Sequence, residues 1–285
     1  MTEPVLAAVA EIVGGEPVSA HGLGAGVYEV EFADGDLVVA KQGCGPGAAR
    51  AEAASLEWLA ESGAVPMPGL RGHDDRWLVM EQVEPGPSST AAAEQLGRAL
   101  AALHQAGANA FGAPPPGAPQ RGWIGRAPMS YAPAEHWPRW YAEQRIEPYL
   151  RDAVDSASLS GAQAAVIAQV CERVEDLAGP AEPPARLHGD LWSGNVHWAA
   201  DGRAWLIDPA AHGGHRETDL AMLYLFGCPH LEHVLGGYLE VAPLAEGWQR
   251  RISLHQLFPL LVHVVLFGGS YAEQAAAAAR AALMG

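Results

Sequence analysis

The sequence predicts an α+β fold in two lobes, a small antiparallel sheet followed by a larger, mainly helical region. Three observations predict it. Strand-like apolar runs crowd residues 1–83, helical spacing dominates residues 84–285, and Glu84-Pro85-Gly86-Pro87 punctuates the change as a hinge. A chain of 285 residues suits two lobes that share a cleft, and 49% hydrophobic content can bury a sizeable core.

Residues 5–13 carry helical spacing. A Gly-rich stretch, His21-Gly22-Leu23-Gly24-Ala25-Gly26, leads into the alternating run Val27-Tyr28-Glu29-Val30-Glu31-Phe32, a strand. Ala33-Asp34-Gly35-Asp36 signals a hairpin turn, and Leu37-Val38-Val39-Ala40-Lys41 is the returning strand. Ala48 to Ser62 puts Ala53, Leu56 and Leu59 on one helical face, and Trp77 to Glu81 is a further apolar strand. Beyond the hinge, Thr90 to Gln105 is an amphipathic helix with Leu96, Leu100 and Leu103 in register. Residues 107–130 are rich in Gly and Pro and read as one long loop. Helices are expected over about 131–150 and 157–178. Two short strands around Ala200-Asp201-Gly202 follow, and helices fill the chain from about Glu217 onward.

Composition narrows the function classes. The net charge of −16 argues against nucleic acid and against an anionic membrane surface, both of which call for a basic footprint. The acidic Met1-Thr2-Glu3-Pro4 start lacks a signal-peptide pattern, and the apolar run Leu257 to Phe267 is too short to span a bilayer. Cys44, Cys171 and Cys228 lie far apart with no CxxC, which fits free thiols in a reducing compartment; a cytoplasmic location is expected. Of 17 Lys plus Arg residues, only Lys41 is lysine. A chain that writes nearly every cation as Arg and uses Lys once marks a position suited to a compact ammonium.

The chemistry concentrates in His188-Gly189-Asp190-Leu191-Trp192-Ser193-Gly194-Asn195 and Trp205-Leu206-Ile207-Asp208-Pro209. Phosphoryl transfer needs in-line positioning and charge neutralisation more than covalent help. One carboxylate must orient the attacking hydroxyl and take its proton. A second carboxylate and an amide oxygen must hold Mg2+ against the phosphates of ATP. Asp190 and Asn195 stand five apart, the Asp-to-Asn interval of a kinase catalytic loop, and thirteen residues later Asp208 follows an apolar strand. Asp190 is the candidate base; Asn195 and Asp208 are the candidate metal ligands. The first half supplies the nucleotide side: Gly22, Gly24 and Gly26 for the phosphates, Lys41 for charge, and Met80, Glu81 and Val83 as a hinge for adenine. Glu52 is favoured as the partner of Lys41, with Glu57 as the alternative.

These segments resemble the fructosamine kinase (ketosamine 3-kinase) family, itself related in fold to aminoglycoside phosphotransferases and protein kinases. The likeness rests on Val27-Tyr28-Glu29-Val30, Ala51 to Leu56, Leu96 to His104, Trp123-Ile124-Gly125, His188 to Asn195, Ile207 to Ala210 and His215 to Met222. It spans about residues 10–280. The resemblance implies a protein-kinase-like fold and ATP-dependent phosphorylation of the 3-hydroxyl of a ketosamine, free or protein-bound, giving an unstable product and hence deglycation. It also implies a Lys41–Glu52 clamp on the phosphates, and an Asp219 that anchors the catalytic-loop backbone. The sequence departs from the family in its Gly-Leu-Gly-Ala-Gly run, which carries no polar Asn or Ser.

Blander readings stand beside these. Asp190 alone could cap a turn, His188 reads as a structural histidine, and Trp192 reads more readily as packing than as a substrate platform. His212 and His215 lie near Asp208 and could pair on a transition metal, but a kinase site wants oxygen ligands. Trp123, Trp137, Trp140 and Tyr141 could line an acceptor pocket or simply fill core. A kinase for another acceptor, such as an aminoglycoside, choline or a sugar, and a regulatory pseudokinase are the alternatives in function. The sequence leaves oligomeric state open.

Overall fold

The computed structural model describes residues 3–285; Met1 and Thr2, which open the acidic N-terminus, lie outside it. Helix α1 (Glu3–Val13) packs Val5 and Val9 under a five-stranded antiparallel sheet. Its strands are β1 (Pro17–Gly24), β2 (Val27–Phe32), β3 (Leu37–Gln42), β4 (Leu70–His73) and β5 (Trp77–Glu81), in the order β1-β2-β3-β5-β4. Helix α2 (Ala48–Ala60) crosses the other side of the sheet, burying Leu56 and Leu59. Its phase decides between the two glutamates: Glu57 points to solvent, whereas Glu52 is half-buried on the sheet side.

One sequence expectation needs correction here, and one stretch gains an element. The Gly-rich stretch forms the end of β1, an edge strand bulged between Gly22 and Gly24, and Ala25-Gly26 makes the hairpin turn into β2. Its residues are mostly exposed, so no apolar alternation betrays it. The long loop expected over 107–130 contains a hairpin, β6 (Arg121–Ile124) and β7 (Ala127–Ser130), turning at Gly125-Arg126. Short strands flanked by Pro and Gly leave little periodic signal.

Past the hinge, where Pro85 pairs with Ala199, α3 (Thr90–Gln105) is capped by the Ser89 hydroxyl accepting from the Ala92 N–H. α4 (Trp137–Tyr141), a π-helical turn (Ala142–Ile146) and α5 (Glu147–Asp155) form one interrupted helix, followed by α6 (Gly161–Glu172) and α7 (Val174–Leu177). Four short strands come next: β8 (Ala185–Leu187), β9 (Val196–Trp198), β10 (Ala204–Leu206) and β11 (His212–Gly214). They pair as β8 with β11 and β9 with β10. Helices α8 (Glu217–Leu223), α9 (Leu231–Val241), α10 (Trp248–Phe267) and α11 (Tyr271–Met284) complete the chain. The crossing of α3 and α9 requires glycine. A Cβ on Gly97 would meet the Val234 carbonyl oxygen at 1.9 Å, and one on Gly237 the Glu94 carbonyl oxygen at 2.2 Å. One apolar cluster runs from Leu56, Leu78 and Met80 through Leu96 and Leu100 to Leu191 and Leu206, tying the sheet to the segments that carry the chemistry.

At the start of α8, buried Glu217 takes a fork from Arg251, with Nη2 at 2.6 Å and Nε at 2.9 Å. Burial alone would push the Glu217 carboxyl up. His255 Nε2, 3.3 Å from Oε2, and the Arg251 fork outweigh it and hold the group down at about 2. The folded carboxyl thus titrates below its ordinary 4.5, so the pair's contribution is complete above that value and is lost as pH falls toward 2. Glu217→Gln should therefore cost about 3 kcal/mol at neutral pH and flatten the acid limb of a stability–pH curve. Chemical denaturation at pH 7, 4.5 and 3 checks both expectations.

Candidate active site

Lys41, near the end of β3, reaches Glu52 on α2 at 2.9 Å and Asp208 at 3.0 Å. Burial alone would lower the ammonium's pKa, but the two carboxylates overcome it and hold the group above its ordinary value. Asp208 has a backbone φ of 54°, the left-handed region that non-glycine residues seldom occupy. Following β10 and preceding Pro209, this strained turn leaves its side chain 41% exposed to the cleft while it holds Lys41.

The loop from His188 to Asn195 is stitched to that turn on both sides. The Ala210 N–H donates to the His188 carbonyl at 2.9 Å, and the Ile207 N–H to the Asn195 carbonyl at 3.1 Å. Gly189, with φ 84°, admits no side chain: a Cβ would lie 2.1 Å from the Ala210 carbonyl oxygen. His188 is fully buried and neutral. Its Nδ1 accepts from the Asp190 N–H at 3.3 Å, which leaves Nε2–H to donate to the Ile207 carbonyl at 3.0 Å. Burial lowers its pKa, in keeping with that neutral form.

Asp219 grips the same loop from α8. Its Oδ2 accepts the His188 N–H at 2.7 Å and its Oδ1 the Gly189 N–H at 2.9 Å. Behind it His104 of α3 lies 3.2 Å from Oδ2, and Tyr238 of α9 holds the other nitrogen of His104 at 2.8 Å. Burial alone would raise the Asp219 carboxyl; His104 and the loop donors bring it below its ordinary value. His104 ends a stretch that carries the family likeness, but neither it nor Tyr238 is given a role by the sequence, since a histidine ending an amphipathic helix and a tyrosine in an apolar one carry no chemistry of their own.

Asn195 donates its Nδ2 to the Asp190 carbonyl at 2.8 Å and to Asp190 Oδ2 at 3.3 Å, which leaves its own Oδ1 available as a ligand. Asp190 is pushed up to about 7, by burial first and by the nearby Asp208 carboxylate second. Asp190, Asp208, Lys41, Glu52 and Gly26 line one cavity of about 740 Å³. Gly22, Gly24, Met80, Glu81 and Val83 lie outside its walls. The Glu81 N–H donates to the Gly69 carbonyl at 2.9 Å, and the Val83 carbonyl accepts from His197 at 3.0 Å. The β6–β7 hairpin closes the far wall with Trp123, Gly125 and Arg126, and Trp123 packs so closely on Gly45 that a Cβ there would lie 2.4 Å from the ring. Of the aromatics considered above, Trp123 joins the cavity, while Trp137, Trp140 and Tyr141 are buried in the helical core. A smaller hollow of about 410 Å³, lined by Val65, Met67 and Leu96, has Arg203 as its one charged side chain and lies apart from this chemistry.

The two histidines near Asp208 diverge. His212 bonds the Ala210 carbonyl at 2.9 Å, whereas His215 stacks in the core beside His255 and Glu217. His215, Glu217 and His255 bring ligand atoms within 4.8 Å of one another, but Arg251 already spans both carboxylate oxygens of Glu217. That arrangement is a buried ion-pair network centred on Glu217 and Arg251.

The comparisons agree with this geometry. The family described as fructosamine kinase matches residues 45–284. A candidate ketoamine kinase of Thermus thermophilus is 36% identical over 226 residues, 79% of each chain. The crystal structure of a candidate fructosamine-3-kinase from Thermobifida fusca superposes with a TM-score of 0.92 at 49% identity, covering 99% of both chains. The choline kinase of Streptococcus pneumoniae shares the fold, with a TM-score of 0.66 at 15% identity over 100% of this chain and 99% of that one. The two-lobed architecture is therefore that of the protein-kinase-like phosphotransferases, and the chain belongs to the fructosamine kinase family.

Proposed function

We propose that the protein transfers the γ-phosphoryl group of ATP to a hydroxyl of a ketosamine, the 3-hydroxyl of its sugar. The observation that carries this reading is the convergence of Lys41, Glu52, Asp190 and Asp208, drawn from four separate segments, at one cavity, with Asn195 hydrogen-bonded to Asp190. The family and its ketoamine kinase relative support the acceptor class.

The residues divide the work. Asp190, basic enough at about 7 to take a proton near neutral pH, orients the acceptor hydroxyl. As that oxygen bonds to the γ-phosphorus and the bridging β–γ P–O bond breaks, the hydroxyl proton passes to Asp190 and ADP leaves. Lys41, held by Glu52, offers a fixed positive charge to the phosphates without reorganisation. Asn195 Oδ1 and the Asp208 carboxylate form an oxygen-only donor pair that suits Mg2+. When bound there, that ion supplies charge neutralisation and a template for the phosphates. The turn at Ala25-Gly26, open to the cavity, lets backbone approach the phosphates. The three cysteines are free thiols and no described helix is long and apolar enough to cross a membrane, which supports a cytoplasmic setting.

The central test is ADP release with Mg-ATP over fructosamine, ribulosamine and erythrulosamine adducts, with aminoglycosides and choline alongside. Turnover confined to ketosamines is expected; turnover on another acceptor alone would discard the ketosamine assignment. Asp190→Ala should lower kcat by about a thousandfold while leaving nucleotide affinity near that of the parent, as read by calorimetry. Lys41→Arg should lose at least about tenfold in kcat/KM, because the broad guanidinium cannot reproduce a point charge bonded to two carboxylates. Parental rates in that variant would remove Lys41 from the phosphate clamp.

A further inference from the structure

One surface beside the cleft is unused by the mechanism. Phe267, the last residue of α10, is 60% exposed and lines the same cavity as Asp190. Its ring lies 5.6 Å from His263 and 6.1 Å from Tyr271. His263 in turn packs 5.1 Å from Phe226, in the segment between α8 and α9, and Phe226 meets Trp192 edge-on at 5.8 Å. Trp192 stands two residues after Asp190 and is 37% exposed. The row thus leaves the catalytic loop at one end and returns to the cavity wall at the other. Tyr271 packs only at the margin of the helical core, and Trp192, Phe226, His263 and Phe267 belong to none of the three apolar clusters.

The chemistry of this row is specific. His263 Nδ1 lies 2.7 Å from the Pro259 carbonyl, which can only accept, so Nδ1 carries the proton and Nε2 keeps a lone pair. Among the described residues nothing donates to that nitrogen. Burial keeps the ring neutral, in line with this tautomer. The row therefore offers π faces and one acceptor, with no positive charge of its own, in a chain whose net charge is −16. A protonated amine carrying an apolar or aromatic substituent complements all of these features. The cation sits on π faces, its N–H meets an acceptor, and the substituent covers exposed rings.

We infer that Phe226, His263, Phe267 and Tyr271 form the subsite for the amine half of the acceptor, the sugar half lying at Asp190. This inference rests on the ketosamine reading above. The row selects among ketosamines by what the amine carries, favouring apolar or aromatic substituents over a bare ammonium.

Two acceptors with one sugar test it: 1-benzylamino-1-deoxyfructose and 1-amino-1-deoxyfructose. Parent, Phe267→Ala, Phe267→Leu and Phe226→Ala are compared by kcat/KM for each acceptor, with KM for ATP and thermal midpoint recorded for every variant. The parent should prefer the benzyl acceptor, and both alanine variants should lower that preference about tenfold through KM. Phe267→Leu, which keeps apolar bulk and removes the π face, should fall between. An equal loss on both acceptors, or none on either, overturns the subsite while leaving the ketosamine reading intact. A parent that turns over neither acceptor overturns both.

Discussion

The loop that carries Asp190 and Asn195 hangs on one buried carboxylate. Asp219, with no exposed surface, accepts the N–H groups of His188 and Gly189 at 2.7 and 2.9 Å and so fixes the backbone two residues before Asp190 is due. A buried charge is costly unless it is fully bonded, and here the remaining demand is met by His104, itself held by Tyr238. The chain Tyr238–His104–Asp219 crosses α9, α3 and α8. The glycine-only approach of α3 and α9 at Gly97 and Gly237 is what brings two of those helices close. Packing of small residues between α3 and α9 thus helps to set the position of Asp190 inside the cleft.

Carboxylates outnumber cations in the cleft. Glu52, Asp190 and Asp208 share the cavity with the Lys41 ammonium and the Arg126 guanidinium, and Asp190 is raised by burial first and by the Asp208 carboxylate second. An arrangement of this kind is poorly balanced alone and well balanced with a dication on oxygen ligands. The left-handed backbone of Asp208 fits the same account. Strain at that residue turns a carboxylate back toward the cavity, where it first meets Lys41 and remains accessible for a cation.

The sequence disclosed the parts of the site whose spacing is local. Asp190 and Asn195 sit on one loop, Asp208 follows one short strand, and Lys41 and Glu52 are eleven residues apart across a single strand-to-helix connection. Helix phase alone separated Glu52 from Glu57. The fold was legible wherever apolar residues recur with a period, as in α3, whose expected and observed limits coincide at Thr90 and Gln105. It failed where pairing is set by partners and not by pattern. β1 is an exposed edge strand full of glycine, and β6 and β7 are four residues each inside a Pro-rich stretch. The network behind Asp219 was also hidden. His104 and Tyr238 are 134 residues apart, and only the fold makes them neighbours.

That asymmetry separates two kinds of information in the chain. Handling of phosphate and metal demands a fixed set of charges in fixed positions, so it leaves compact signatures on one or two loops. Acceptor recognition demands only a surface of suitable chemistry, which can be assembled from single residues on distant elements. Trp123 comes from the β6–β7 hairpin, Phe226 from the segment between α8 and α9, and Phe267 and Tyr271 from the junction of α10 and α11. No spacing rule links these positions, and each taken alone reads as an ordinary packing residue. A relative can therefore keep the whole phosphotransfer apparatus while altering its acceptor by changing one or two rings.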